Sequence, residues 1–237
     1  HIESSMMTPR NFAKAVIPKG TTTVITDPHE IGNVWGIEGV RYMHEASEGL
    51  PMRQLIDIPS CVPAVPGLEH AGAEFGPAQI EELAKLERVV GLAEVMDYLD
   101  VIHGGDRMMD IIRTAEEHGL YLQGHAPFVA VSYTHLRAHE TPEHVVCRLL
   151  LEEGRMLSAY LCGGPNTCHE SRTAEEALEK MRSGMRVDAR DSSITKNVEA
   201  IWSGVKDFRF FDNFCLCTDD READDILHNG HINDGVR

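Results

Sequence analysis

The sequence has few basic residues. Lys and Arg number 22 against 38 Asp and Glu, so the formal net charge is −16. Such an excess of negative charge repels polyanions, which argues against nucleic acid as the main partner and disfavours acidic membrane surfaces. Long hydrophobic runs are also lacking, because stretches such as 89–93 fall far short of the roughly 18 residues that a membrane span needs. No signal peptide is recognisable, and we expect a cytoplasmic protein with no membrane partner.

Cysteine is scarce and shows no paired spacing. The six cysteines occur at 61, 147, 162, 168, 215 and 217, without a CxxC pair. This pattern argues against a zinc ribbon and a disulfide framework, and it favours reduced thiols in a cytosolic protein. Charged residues make up 25% and apolar residues 42% of the chain. These values are typical of a folded globular protein and exclude a disordered, collagen-like or coiled-coil chain.

Short apolar runs alternate with helical patterns along the chain. Residues 21–26 are six consecutive β-branched residues, which predicts a buried strand. Further strand candidates lie at 55–58, 89–93, 120–122, near 165, at 185–187 and at 210–216. Helices are predicted from Pro77, from Asp106 as N-cap to Gly119, and from the capping box of Thr173 and Glu176. The alternation predicts an α/β protein whose parallel strands are joined by crossover helices, as a barrel or a doubly wound sheet.

The spacing of the strand candidates favours the barrel. The first four begin near 21, 56, 89 and 120, and this interval of about 33 residues is close to the ~31 of an eight-unit (β/α)8 barrel. The next begins only near 165, after about 45 residues. Additional sequence therefore lies between these two strands.

That additional sequence is the segment 130–153. His135 and His139 have the spacing of a helical metal pair, but the string SYTHLRAHETPEHVVCRLLLEE resembles a peptide that arises when sequencing-adapter DNA is translated. We therefore predict a foreign insertion without selected function, in preference to a genuine insertion or a metal site. A helix predicted over 143–152 would then be an accident of composition.

Polar side chains follow most of the predicted strands. The catalytic residues of a parallel barrel lie at the carboxyl ends of its strands, so these side chains are expected to converge. Histidines and carboxylates gathered in this way hold one or two divalent ions, which acidify a bound water. Taken singly, each is more often a structural or surface residue, and the hypothesis depends on their convergence. The candidates are His1, Asp27, His29, Glu30, Glu94, His125, His169, Glu170, Asp219 and Asp220.

Seven sequence blocks resemble the bacterial adenine deaminases of the amidohydrolase superfamily. The blocks occur in the same order as in that family, and together they cover nearly all of the chain except 130–153. The blocks are HIESSMMTP (1–9), TTTVITDPHEIGNV (21–34), PSCVPAVP (59–66), GLAEVM (91–96), GHAP (124–127), CHESRTAEEALEKMRSGM (168–185) and CTDD (217–220). The resemblance implies a metal-dependent (β/α)8 TIM-type barrel that hydrolyses adenine to hypoxanthine and ammonia by metal-activated hydroxide. It also implies a binuclear site for Mn²⁺ or Fe²⁺.

The resemblance further implies a role for individual residues. His1 matches the second histidine of an HxH pair, Glu94 a carboxylate that bridges two metals, and Asp219 an aspartate that contacts metal and transfers protons. His125 and His169 match the remaining metal ligands, and the catalytic set is Asp219, Glu94 and His169. Glu30 or Glu170 is expected to protonate a ring nitrogen of the purine. Asp27, His29 and Asp220 are expected at the mouth of the site.

Departures from the family pattern suggest an incomplete barrel over 1–237. The chain begins at His1, so we expect the first strand, the other HxH histidine and a flanking β domain to be missing, together with a C-terminal domain. Asp191 stands where relatives tend to carry Glu. Two alternatives stay open: a hydrolase of another cyclic amidine or amide, and an inactive truncated barrel. A homo-oligomer acting on a small-molecule purine is expected.

Overall fold

The computed structural model describes residues 1–127, 129, 155–209 and 211–237. The predicted insertion at 130–153 lies outside these residues. The strands are β1 (Thr23–Thr26), β2 (Arg53–Pro59), β3 (Val89–Val95), β4 (Tyr121–Gly124), β5 (Thr167–Cys168), β6 (Arg186–Arg190) and β7 (Phe214–Cys217). The helices are α1 (Pro9–Val16), α2 (His29–Trp35), α3 (Ile37–Ala46), α4 (Pro77–Leu83), α5 (Tyr98–His103), α6 (Asp106–Glu117), α7 (Arg155–Cys162), α8 (Ala174–Arg182), α9 (Val198–Val205), α10 (Ala223–His228) and α11 (Ile232–Gly235).

All of the strand pairings in the described residues are parallel. β1 to β4 form one sheet and β5 to β7 form a second, each in chain order. The two sheets meet between β4 and β5, where the Gly124 N–H donates to Thr167 Oγ1 at 3.1 Å. Because neighbouring strands run the same way, their carboxyl ends lie at a common edge. The predicted α/β alternation with parallel strands is confirmed.

The core lies between the first sheet and its crossover helices. Ile56 and Ile58 of β2 and Leu92 of β3 are fully buried, as expected for parallel strands covered on both faces. Ile80 of α4 and Ile111 of α6 belong to the same apolar cluster. No helix in the described part of the chain is both long and apolar enough to span a bilayer.

Most predicted element boundaries agree with the structure, and two are wrong. The run at 21–26 does form a strand, but the prediction that it is buried is wrong, because β1 is the edge strand of the first sheet and its Thr23 and Ile25 are exposed. The capping box of Thr173 and Glu176 is confirmed at the start of α8. Asp106 is the first helical residue of α6 rather than its N-cap, which is Gly105. A side chain at Gly105 would collide with the Asp100 carboxylate, which accepts the Met108 N–H and so caps this helix from outside.

The second wrong boundary is the start of the last strand. The apolar run at 210–216 predicted a strand over its whole length, but β7 begins only at Phe214. Residues 211–213 precede it in a turn, in which the Phe214 N–H donates to the Phe211 carbonyl. The aromatic side chains of Phe211 and Phe214 both lie beside Trp202, so side-chain packing rather than strand pairing accounts for the apolar residue at 211.

Asp57 is a carboxylate buried in the middle of β2. Its Oδ2 accepts the Tyr121 hydroxyl at 2.8 Å, and its Oδ1 has no hydrogen-bond partner in the described structure. A methyl group at position 91 would lie 2.6 Å from this Oδ1, so Gly91 leaves room for the carboxylate. Burial raises the pKa of Asp57 to about 8, against a lowering by the Tyr121 hydroxyl. The folded chain therefore keeps Asp57 protonated at neutral pH.

We predict that Asp57 lowers the stability of the folded chain as the pH rises from 5 to 7. The folded state retains a proton up to pH of about 8, whereas the unfolded state releases it near pH 4, so the free energy of unfolding falls by up to about 2–3 kcal/mol across this window. Urea unfolding of wild type and Asp57→Asn at both pH values measures the effect. The difference between them should widen in favour of Asp57→Asn towards pH 7, and parallel pH dependences would contradict the prediction.

Candidate metal centre

Side chains of the predicted site follow strands of both sheets at the common carboxyl edge. Asp27 follows β1 directly, Glu94 is the penultimate residue of β3, and His125 follows β4. His169 follows β5, and Asp219 lies two residues beyond the end of β7. Parallel pairing brings the ends of these strands together although the residues span nearly two hundred positions.

The structure brings all ten predicted site residues into four overlapping clusters of possible metal ligands. Within each cluster the ligand atoms lie within 4.8 Å of one another. The clusters are His1, Asp27, His29 and Glu94; Glu94, His125 and His169; His1, Glu30 and Asp220; and His169, Glu170 and Asp219. The convergence expected from the sequence is therefore present in the fold.

Glu94 lies at the centre of these clusters. Its Oε1 is 3.1 Å from His1 Nε2 and 3.4 Å from His169 Nε2, and its Oε2 is 3.7 Å from His125 Nδ1. The backbone of Glu94 has a φ of 30°, and Asp219 has a φ of 52°. Left-handed backbone at a residue other than glycine costs of order 1–3 kcal/mol and is found most often at functional sites. Both strained residues carry carboxylates into the site.

The histidines keep the central carboxylates ionised. Burial alone would raise the pKa of Glu94, but His169, His1 and His125 hold it well below its usual range. Burial also opposes the ionised form of Asp219, yet its hydrogen bond to His1 and the charges of His169, His1 and Arg190 lower the pKa of this carboxyl. The site thus presents charged oxygen ligands to a cation.

The His1 imidazole is bonded to two carboxylates of the site. Burial would lower its pKa, but the hydrogen bonds to Asp219 and Glu94 raise it well above the usual value. Neutral imidazole is the form that binds a metal, so an ion at this position would displace the proton.

Unpaired oxygens supply a test of whether the residues fit divalent ions. Asp27 Oδ1, Glu30 Oε2 and Asp220 Oδ1 are buried and have no hydrogen-bond partner within the described ranges. A buried carboxylate oxygen without a partner is costly, and a cation would satisfy it. Imidazole nitrogens and carboxylate oxygens together suit divalent manganese, iron and zinc. The residues present therefore fit a metal centre.

Arg190 is part of the site and was not predicted. Its Nη1 lies 2.6 Å from Glu170 Oε1 and 2.5 Å from Asp219 Oδ2, so one guanidinium links two of the acidic residues. Nearby carboxylates raise the pKa of Arg190 against the effect of burial. Its position could have indicated this role, because Arg190 is the last residue of β6 and the candidates were taken from the ends of the other strands.

A cavity of about 490 Å³ opens from the cluster into the space between the two sheets. His1, Glu94, His169 and Asp219 line it near the strand ends, and Asp57 lines it deeper in the fold. Ligand sites for small molecules are typically clefts of about 300–1,000 Å³ with a few polar groups. The cavity is therefore large enough for a small organic substrate beside the clustered ligands.

Comparison with known proteins gives a consistent result over the whole chain. The sequence profile of the Amidohydrolase family matches residues 1–235. The adenine deaminase of Staphylothermus marinus is 39% identical over 236 residues, covering 98% of this chain and 35% of that protein. Those of Methanothrix thermoacetophila and Clostridium acetobutylicum are 38% and 37% identical over 100% of this chain and 37% of each relative. The chain thus spans little more than a third of the length of these relatives.

Proposed function

The chain belongs to the amidohydrolase family, and we propose that it is part of an enzyme that hydrolyses adenine to hypoxanthine and ammonia. The observation that carries the proposal is the convergence of His1, Glu94, His125, His169 and Asp219 at one edge of the parallel strands. The similarity to adenine deaminases over essentially all of the chain supports adenine as the substrate. Hydrolases of other cyclic amidines or amides remain the alternative, because one fold supports many substrates.

The same observations support a binuclear centre. Glu94 belongs both to the cluster with His1, Asp27 and His29 and to the cluster with His125 and His169. One carboxylate can thus serve two ions, with Oε1 towards His1 and Oε2 towards His125. We propose Mn²⁺ or Fe²⁺ at these positions on the strength of the family resemblance. Such ions supply Lewis acidity, which makes hydroxide available near neutral pH.

Asp219 is proposed to transfer the proton during the reaction. Its carboxylate is ionised and lies between His1 and Arg190, with Oδ1 3.1 Å from His1 Nε2. It would take a proton from the attacking water and return it to the exocyclic nitrogen of adenine, which leaves as ammonia. The new C6–O bond replaces the C6–N bond, so one water is consumed for each ammonia released.

A second acid would assist at the purine ring. Burial raises the pKa of Glu30, which favours the protonated form that can donate to a ring nitrogen. Glu170 is instead held in an ion pair with the Arg190 guanidinium, whose Nη1 lies 2.6 Å from Glu170 Oε1. Between the two residues predicted for this role, we therefore propose Glu30.

The fold proposed for the region is a (β/α)8 barrel. The seven described strands lie in chain order in two adjoining parallel sheets, and the crossover helices pack on them. We further propose that residues 1–237 belong to one such barrel and that 130–153 are a foreign insertion in it. Assembly into a homo-oligomer and residence in the cytoplasm stay predictions.

The proposed activity is tested on the purified 237-residue chain. After removal of metals with a chelator we expect no product, and after addition of Mn²⁺ we expect hypoxanthine and ammonia in equal amounts from adenine. Chromatography of the purines and an enzymatic ammonia assay measure the two products. The same assay on a chain without residues 130–153 should give at least equal activity if that segment is foreign.

A panel of purines and pyrimidines separates the alternatives. Ammonia from another cyclic amidine, with none from adenine, would replace the proposed substrate. A chain that unfolds cooperatively and binds Mn²⁺ but releases no ammonia from any member of the panel would contradict the proposed activity and favour an inactive truncated barrel.

A further inference from the structure

The pairing of β3 with β4 is interrupted where the two strands carry proposed metal ligands. Leu92 pairs with Leu122 and Val95 pairs with Gly124, so three steps along β3 correspond to two along β4. The additional residue lies at Ala93 or Glu94, and Glu94 adopts the left-handed backbone conformation. This is the geometry of a β-bulge, which leaves backbone groups without a ladder partner and redirects a side chain.

A tyrosine from outside the sheet occupies this interruption. Tyr160 of α7 is completely buried, and its hydroxyl donates to the Val95 carbonyl at 2.9 Å. The same oxygen accepts the His125 N–H at 3.1 Å. One hydroxyl therefore bonds both to the backbone acceptor next to Glu94 and to the backbone donor of His125.

Gly124 provides the space for this hydroxyl. A methyl group at Gly124 would lie 2.9 Å from Tyr160 Oη and would also collide with the Thr167 carbonyl. The bulge, the buried hydroxyl and the glycine are three separate structural features that are in contact with one another here. All of them adjoin the backbone at Glu94 and His125, and His125 Nδ1 lies 3.7 Å from Glu94 Oε2.

We propose that Tyr160 is a positioning residue that sets the separation between Glu94 and His125 in the metal centre. Without the hydroxyl, the Val95 carbonyl and the His125 N–H would lose the one side-chain group that bonds to both of them in the described structure. The two strand ends would then move together, and the ligands with them. This inference rests on the proposed metal centre, and Tyr160 itself is not proposed as a ligand.

The experiment compares wild type with Tyr160→Phe, which removes only the hydroxyl and keeps the ring in the core. The chains are freed of metal and titrated with Co²⁺ by calorimetry, and the visible absorption of bound Co²⁺ reports the coordination geometry. We expect about tenfold weaker binding of one ion, as for other residues that orient a ligand, and an altered Co²⁺ spectrum.

Tyr121→Phe is the matched control. It also deletes a hydroxyl from a tyrosine packed in the sheet region, one that donates to Asp57 rather than to a ligand-bearing strand end. We expect Tyr121→Phe to lower the melting temperature without changing the affinity for Co²⁺ or its spectrum. A spectrum altered equally in both variants would overturn the inference, because it would show a general effect of lost stability.

The remaining outcomes separate this inference from the proposed function. Wild type that binds no Co²⁺ would overturn the metal centre and the inference together. Wild type that binds Co²⁺ and a Tyr160→Phe chain with the same affinity and spectrum would overturn only the role of Tyr160. A Tyr160→Phe chain that no longer unfolds cooperatively would also overturn it, since the hydroxyl would then hold the fold and not the ligand spacing.

Discussion

Replacement of Glu94 by Gln is expected to remove the proposed binuclear centre and the proposed activity that depends on it. The substitution keeps the size of the side chain but replaces the ionised oxygens that face His1, His169 and His125. Three imidazoles would then surround a neutral amide, which cannot offset the charge of two cations. We expect affinity for Mn²⁺ to fall by about a hundredfold or more and hypoxanthine formation to fall by on the order of 10³.

Asp57→Asn is the control for this prediction. It replaces another buried carboxyl group by an amide, on the neighbouring strand, and Asp57 belongs to none of the ligand clusters. Calorimetric titration with Mn²⁺ should therefore give an affinity close to that of wild type. Two ions bound by Glu94→Gln with unchanged affinity would show that Glu94 is not the shared ligand.

The convergence of the site residues could be predicted because they stand at positions that the chain order reveals. A run of β-branched or apolar residues indicates a buried strand, and the polar residue that ends the run lies at the strand's carboxyl edge. Asp27 and His125 were located in this way, and parallel pairing then placed them in one region. The prediction needed the order and direction of the strands, but no knowledge of side-chain geometry.

Two residues near the site, Arg190 and Tyr160, were not predicted in this way. Arg190 is the last residue of a strand. Only histidines and acidic residues were collected as candidates at the strand ends, so an arginine was not considered. Tyr160 lies in a helix, where a buried aromatic residue normally indicates packing alone. The role proposed for its hydroxyl depends on the bulge of β3 near Glu94. The position of a bulge cannot be predicted from the periodicity of a sequence. These contacts depend on local backbone geometry.

Asp191 was noted in the sequence as a departure from the family pattern, and the structure shows that it takes part in a buried ion pair. The family resemblance placed it at a position where relatives tend to carry Glu. In the structure it lies outside the ligand clusters and binds Arg221, whose Nη1 is 2.7 Å from Asp191 Oδ2. The Arg221 side chain is 1% exposed, and its Nη2 also donates to Asp234 Oδ2 at 2.7 Å. Asp191 thus fixes the segment that follows Asp219 and Asp220.

We predict that Asp191→Asn lowers the free energy of unfolding by about 3–5 kcal/mol, because it leaves the Arg221 charge in a buried position with one ionised partner fewer. Urea unfolding measures the effect, and Asp110→Asn is the control, since the pair of Asp110 with Arg113 is solvent-exposed and contributes at most about 1 kcal/mol. The double variant Asp191→Leu, Arg221→Met removes both charges and should recover much of the loss. Equal, small losses of unfolding free energy in Asp191→Asn and Asp110→Asn would contradict the importance of the buried ion pair. If the double variant loses as much stability as Asp191→Asn, the effect is due to packing and not to charge.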